Sequence, residues 1–366
     1  MRRVLLVSIT VLFGCHGAPT AVSDSPPASV AAPTFDLDRM VFHPETGQEG
    51  GLPVANNLAE FALTTDCSFT TNGSIMALDG DCMTDGTIFV PEGMTLDGNG
   101  HTITAVDPSG GDHFRGAVVQ NGGSWAAIRN VTVTVLNLAN VCDGGDDRLR
   151  GIMLAGASGE ITQSRVVGIN QGPSGCQEGN AIEVRNAPFD GTHPNTVAVR
   201  ITHNTIDEYQ KTGIVANGDV DVVIEHNTLG ASATQQDLAA NGIQLGFGAT
   251  GAVRYNVLDG NQWLGPSDFA ATAILIFEAD GGSVSFNRVS ANSDIGIFVA
   301  ADGGTYEHND IRDFGGDGPH GDFGIADLGI GNVFNVSLVC GFATPFFPAP
   351  LPGGQNKALP DPACSR

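Results

Sequence analysis

The sequence predicts an all-β solenoid, and three observations predict it. A short pattern recurs: small-Ile-x-apolar, a Gly/Asp/Asn corner, apolar-x-apolar, then Asn-x-apolar. It reads GIVANGDVDVVIEHNTLG at 213–230, GIQLGFGATGAVRYNVL at 242–258, AILIFEADGGSVSFNRV at 273–289 and GIFVAADGGTYEHNDI at 296–311. GIMLAGASGEITQSRVV at 151–167 is an earlier copy, and the copy at 181–206 has a longer first corner. Each run alternates with period two, so each strand offers only two or three inward side chains. No copy can bury a core alone, whereas stacked copies share a continuous one. The chain also holds 50 Gly with no collagen period, which suits many tight corners.

Three strands per copy and variable loop lengths predict a parallel β-helix whose rungs stack about 4.8 Å apart. Corner asparagines fall at Asn204, Asn227, Asn256, Asn287 and Asn309. Asn130 and Asn335 are expected to extend the row, with Ser164 standing in for Asn. Asn suits such a corner because it tolerates left-handed backbone angles and its amide can bond the same amide one rung away. These repeats, with TLDGNGHTI at 95–103 as an early rung, resemble the right-handed parallel β-helix (pectin-lyase-like) superfamily. The resemblance covers about residues 75–340 and implies the fold more than a chemistry, since such scaffolds host many functions.

The rest of the chain follows in order. MRRVLLVSITVLFGC opens with two arginines and an apolar run too short to span a membrane, as in a secretory signal over 1–14. LFGC at 12–15 resembles a bacterial lipobox, which implies cleavage before Cys15 and lipid on its thiol. An ordinary signal peptide cleaved nearby is the alternative. Residues 15–34 form a Pro/Ala/Ser-rich tether with no means of burying a core. A cap is expected over 35–74, the β-helix over 75–340, and a Pro-rich capping tail over 341–366, because open sheet edges invite aggregation.

Six cysteines remain, and their number leaves the connectivity open. Neighbouring positions favour Cys67 with Cys82, Cys142 with Cys176 and Cys340 with Cys364. A metal site is a poor reading of them, since no CxxC pair exists. Disulfides fit export. The expected location is therefore the bacterial outer membrane or periplasm by lipid anchor, or else the secreted fraction.

The net charge of −24 excludes nucleic acid as a partner, whose phosphates require basic surface. It also disfavours a broad basic groove for acidic polysaccharide, although calcium could reverse that locally. Calcium is the one cofactor the sequence suggests, through Asp143, Asp146 and Asp147, with Asp313, Asp317 and Asp322 as a second set. Neither run has EF-hand spacing, and solvated acidic loops are the simpler reading.

Outward side chains at the x of small-Ile-x-apolar should form a row: Met153, Glu183, Val215, Gln244, Leu275, Phe298 and Ala326. A second row would hold Ala155, Arg185, Asn217, Gly246, Phe277, Ala300 and Leu328. The superfamily resemblance implies that this first sheet and its long loops form a substrate cleft. Arg148, Arg150, Glu183, Arg185, Asp207, Glu208 and Lys211 come from three consecutive copies at one edge. Such a set could perform β-elimination on a polyuronate. An Arg or calcium would neutralise the substrate carboxylate, and Lys211 or an Arg with a lowered pKa would remove the C5 proton. The catalytic candidates are Lys211, Arg185, Glu183 and Arg148, with Arg150, Gln244, Trp263 and Phe298 contacting substrate. The competing reading is a set of ordinary ion pairs between adjacent rungs. Trp263, Phe269, Phe277 and Phe298 could likewise stack on sugars or merely cover apolar surface.

His203, His226 and His308 each precede a ladder Asn, and Tyr255 and Phe286 hold the same place. A stacked corner column is the expectation there, rather than a metal site on His203 and His226. DGPHGD at 317–322 departs from the Asp-Pro-His motif of alginate epimerases, so His320 is only a candidate acid or base. The Gly-His-Gly element of polygalacturonases and the Arg-x-Pro-x-x-Arg element of major pectate lyases are missing. The sequence thus points to an exported monomer that binds a polysaccharide or cell-surface glycan. It leaves open whether that glycan is also cleaved by β-elimination. The alternative is a non-catalytic adhesin or structural module, touching membrane only through its lipid.

Overall fold

The computed structural model describes residues 66–232, 238–265, 270–290, 293–313 and 322–359. The expectations for residues 1–34, for most of the 35–74 cap, and for Phe269, Asp317, His320 and Cys364 lie outside the described residues. Within them the chain is a right-handed parallel β-helix. Each rung passes in turn through a first sheet of ten strands, a second of eleven and a third of eleven. All strand pairs are parallel except Phe69–Asn72 with Ile75–Leu78, which form a hairpin at the start. Among the described residues no helix is long and apolar enough to cross a membrane.

The register follows the repeat. In the first sheet Ile182, Ile214, Ile243, Ile274 and Ile297 stack in line, as do Val184, Ala216, Leu245, Ile276 and Val299. These point inward and are fully buried in one continuous core. The small residue before each Ile has a steric cause. A Cβ on Gly242 would sit 2.5 Å from the carbonyl oxygen of Ala273, one rung up.

Between the second and third sheets the chain turns on two residues. The first is left-handed: Gln163, His203, His226, Tyr255, Phe286, His308 and Val336 all have φ between 50° and 60°. The second carries the ladder. Asn204 Nδ2 donates to Asn227 Oδ1 at 3.0 Å, and the same bond recurs from Asn227 to Asn256, Asn256 to Asn287 and Asn287 to Asn309. Each amide also donates to the carbonyl of an inward residue one rung below, as Asn256 does to Ile224 at 2.9 Å. From Asn204 to Asn287 both amide hydrogens of each side chain are thereby matched, as burial requires.

Two expected members of the ladder sit elsewhere. Asn130, with φ 51°, occupies the left-handed position, and Val131 follows in the ladder column. Asn335 pairs with Glu307 on a strand of the second sheet. Ser337 continues the ladder instead, donating its backbone N–H to Asn356 Oδ1. Asn356 in turn donates to the Phe334 carbonyl at 2.8 Å, repeating the ladder bond in the C-terminal tail.

Cys67–Cys82 and Cys142–Cys176 are bonded. Cys340 is also disulfide-bonded. The 341–359 segment supplies the last strands of the first and third sheets, Thr344–Phe347 and Lys357–Leu359.

Candidate functional site

The expected rows of the first sheet are in register: Met153, Glu183, Val215, Gln244, Leu275, Phe298 and Ala326 pair in sequence. They do point away from the core, yet all seven are buried. The described segments of the loops entering this sheet pack against its outer face as a second layer: Asp146 reaches Arg185, and Ala270 packs with Leu275 and Phe298. Buried polar side chains pin that layer rung to rung. Glu178 accepts the backbone N–H groups of Asp143 and Leu149. Gln210 accepts from Gln171 N–H and donates to the carbonyl of Cys176. Asn261 accepts from Ser232 N–H and the Tyr209 hydroxyl, and Asp294 accepts from Trp263 and Ala271 N–H. Unpaired backbone groups under such a layer would be costly, so these side chains are what allow loops to lie there.

The candidate residues divide accordingly. Arg150 Nε lies 2.6 Å from Glu183 Oε2, and both are buried. The remaining Arg150 N–H groups donate to the carbonyls of Gly145, Asp146 and Arg148. Asn180 donates to the same Glu183 oxygen at 2.8 Å. Burial pushes the Glu183 carboxyl up, but Arg150 and Arg185 outweigh it and hold it below its ordinary value. Arg185 reaches Asp146 at 3.0 Å and stacks over Phe189. Arg148 thus enters the cluster through its backbone carbonyl.

Lys211 is not brought into this group. Its Nζ donates to the Ala239 carbonyl at 2.7 Å, and burial alone lowers its pKa to about 8. Arg150, Glu183 and Lys211 are each 1% exposed, so a polymer cannot reach them in this conformation. Gln244 is bonded to Asn241 and Asn217 beneath the loops. Trp263 packs with Ala239 and Ala271, and Phe298 with Leu275, Phe277 and Phe323. These aromatics cover apolar surface and offer no open face to a sugar.

The three aspartates do not converge on a cation site. Asp143 takes His113 Nε2 at 2.8 Å, while Asp146 takes Arg185. Among the described residues the compact groups of potential ligands are Asp66, Cys67, Cys82 and Cys142, Cys176, Glu178, whose cysteines are disulfides.

The open surface lies on another side. His203, His226, Tyr255, Phe286 and His308 stack with centroid spacings of 5.1, 5.2, 5.1 and 4.7 Å, forming the expected corner column. All five are exposed. Beside them runs an outward column of the third sheet: Arg165, Thr205, Thr228, Val257, Arg288, Asp310, Leu338 and Lys357. On the other flank Arg200 and Arg254 both hold Glu225, whose pKa burial raises but the two arginines lower further. Arg165 and Arg288 were not singled out by sequence reasoning. The signal was available, since Arg288 occupies the x of Asn-x-apolar and Arg165 the same place after Ser164.

A family model described as right handed beta helix region matches residues 191–326. Among solved structures, the crystal structure of Dettilon tailspike protein aligns with a TM-score of 0.46 and 14% identity. That alignment covers 77% of this chain and 59% of the tailspike chain, so less than two thirds of the latter is spanned. No curated protein matches the chain.

Proposed function

We propose that this is an exported, lipid-anchored protein that binds a polysaccharide along the axis of its β-helix without cleaving it. One observation carries the reading: five exposed rings stand in register on successive rungs at one corner, so the surface repeats at rung spacing. A surface that presents one equivalent group per rung suits an extended, repeating polymer, whose units engage together. The β-elimination alternative needs solvent access to Lys211, Arg150 and Glu183, all of which are buried and internally bonded. Export rests on the N-terminal signal pattern and the disulfides.

The test is a panel of neutral and uronate-containing polysaccharides, with calcium and with chelator, read for binding and for the ultraviolet absorbance of unsaturated sugar. Binding with no rise in absorbance is expected. A rise that Lys211→Ala abolishes would restore the lyase, and failure to bind any polymer would remove the glycan reading.

A further inference from the structure

We infer that the corner between the second and third sheets binds an acidic heteroglycan whose negative charges are sparse, about one per four rungs. This rests on the glycan reading above and names its site and ligand class. In a chain of net charge −24 most exposed cations are already neutralised. Arg115, Arg129, Arg185, Arg200, Arg254 and Arg312 each hold a carboxylate. Arg165 and Arg288 are exposed and make no side-chain bond or ion pair among the described residues. Both stand in the same outward column, four rungs apart, or about 19 Å at the usual strand spacing. Asp310, one rung beyond Arg288, is taken by Arg312 at 2.7 Å.

Between the two arginines the column carries Thr205, Thr228 and Val257, which are uncharged. The rings alongside lie within 6° to 21° of parallel, so they spend their faces on each other. What they present outward is ring edges, the electropositive part of an aromatic. Edges and hydroxyls suit the oxygen-rich sides of neutral sugars. A guanidinium at each end suits a carboxylate, which it can bind in a bidentate fork. A dense polyanion would find only Arg165, Arg288 and, three rungs further along the column, the exposed Lys357, and would otherwise meet the field of an acidic protein, so it is disfavoured.

The full chain is tested for binding, at low salt, to three polymers of stated charge: deacylated gellan oligomers with one uronate per four sugars, polygalacturonate with one on every sugar, and uncharged pullulan. Gellan is expected to bind best. Arg165→Gln/Arg288→Gln should weaken it by about tenfold or more, since two charge-assisted contacts are lost, while its thermal midpoint stays at the wild-type value. Arg115→Gln, away from this corner, should leave binding unchanged. Equal gellan binding by wild type and the double variant overturns the site but not glycan binding. Equal or better binding of polygalacturonate or pullulan overturns the sparse-charge assignment. Binding to none of the three, and to no other polymer in the panel, removes this inference together with the glycan reading.

Discussion

Arg150 and Glu183 meet at 2.6 Å beneath the loop layer, one rung apart and sealed from water. The pair is the centre of a small network in which Asn180 and three loop carbonyls complete the bonding. Taking one partner away leaves a buried charge alone, whereas taking both removes the problem.

Glu183→Ala should therefore cost about 3–5 kcal/mol of stability. Arg150→Met/Glu183→Leu should recover most of that loss. Chemical denaturation of the two variants checks this, and a Glu183→Ala protein as stable as wild type would sink the structural role.

Lys211 should weaken the fold at neutral pH. Its folded pKa of about 8 lies below the ordinary 10.5, so the unfolded chain holds a proton that the folded chain has released between those values. Stability then rises with pH across that window and the penalty is fully present below it. The shift amounts to about 3 kcal/mol at 1.36 kcal/mol per unit. Lys211→Met forfeits the Ala239 bond, about 1 kcal/mol, and should still stabilise the protein by about 2 kcal/mol at pH 7. The melting curves of the two proteins should differ at pH 7 and converge by pH 10, and a gap that persists at pH 10 would contradict the cause.

Ser337 interrupts the amide ladder, and its hydroxyl has no partner although it is buried. Ser337→Asn places an amide between Asn309 and Asn356 and should stabilise by about 1 kcal/mol. A lower denaturation midpoint would mean that the last rung cannot seat the larger side chain.

Val336 is exposed and β-branched, yet its φ is 53°. Left-handed geometry costs such a residue roughly 1–2 kcal/mol, and Asn tolerates it. Val336→Asn should raise the thermal midpoint, and an unchanged midpoint would show that the strain is relieved elsewhere.

The fold was legible because each rung repeats the same local decisions. Period-two alternation sets the inward residues, and His226-Asn227 or Tyr255-Asn256 marks the same corner every time. The outward row from Met153 to Ala326 was readable in register but not in exposure. What covers it depends on Glu178, Gln210, Asn261 and Asp294, which sit in loops of unequal length with no period to find. Asn130 and Asn335 were misplaced because Asn also favours the left-handed position and turns generally, so its identity alone does not choose the column. Asn356 was overlooked although NKA at 356–358 fits Asn-x-apolar, because the preceding prolines hid the rung it belongs to. Lys211 looked like a base because a sequence shows a cation's neighbours along the chain and not what it is buried against.

The side chains that clasp the loop layer give this molecule two kinds of heredity. A new rung could be copied into the core at little cost, since each corner amide accepts any identical neighbour. Copied into the outer layer, the same rung would arrive with a clasp cut for a loop of another length, as Glu178 is cut for the 143–149 loop and for Gln171. Every rung runs through all three sheets, so a duplicated rung fits at its ringed corner and mismatches at its loop. A lengthened descendant would therefore carry its changes in the loop layer, where a new clasp is needed.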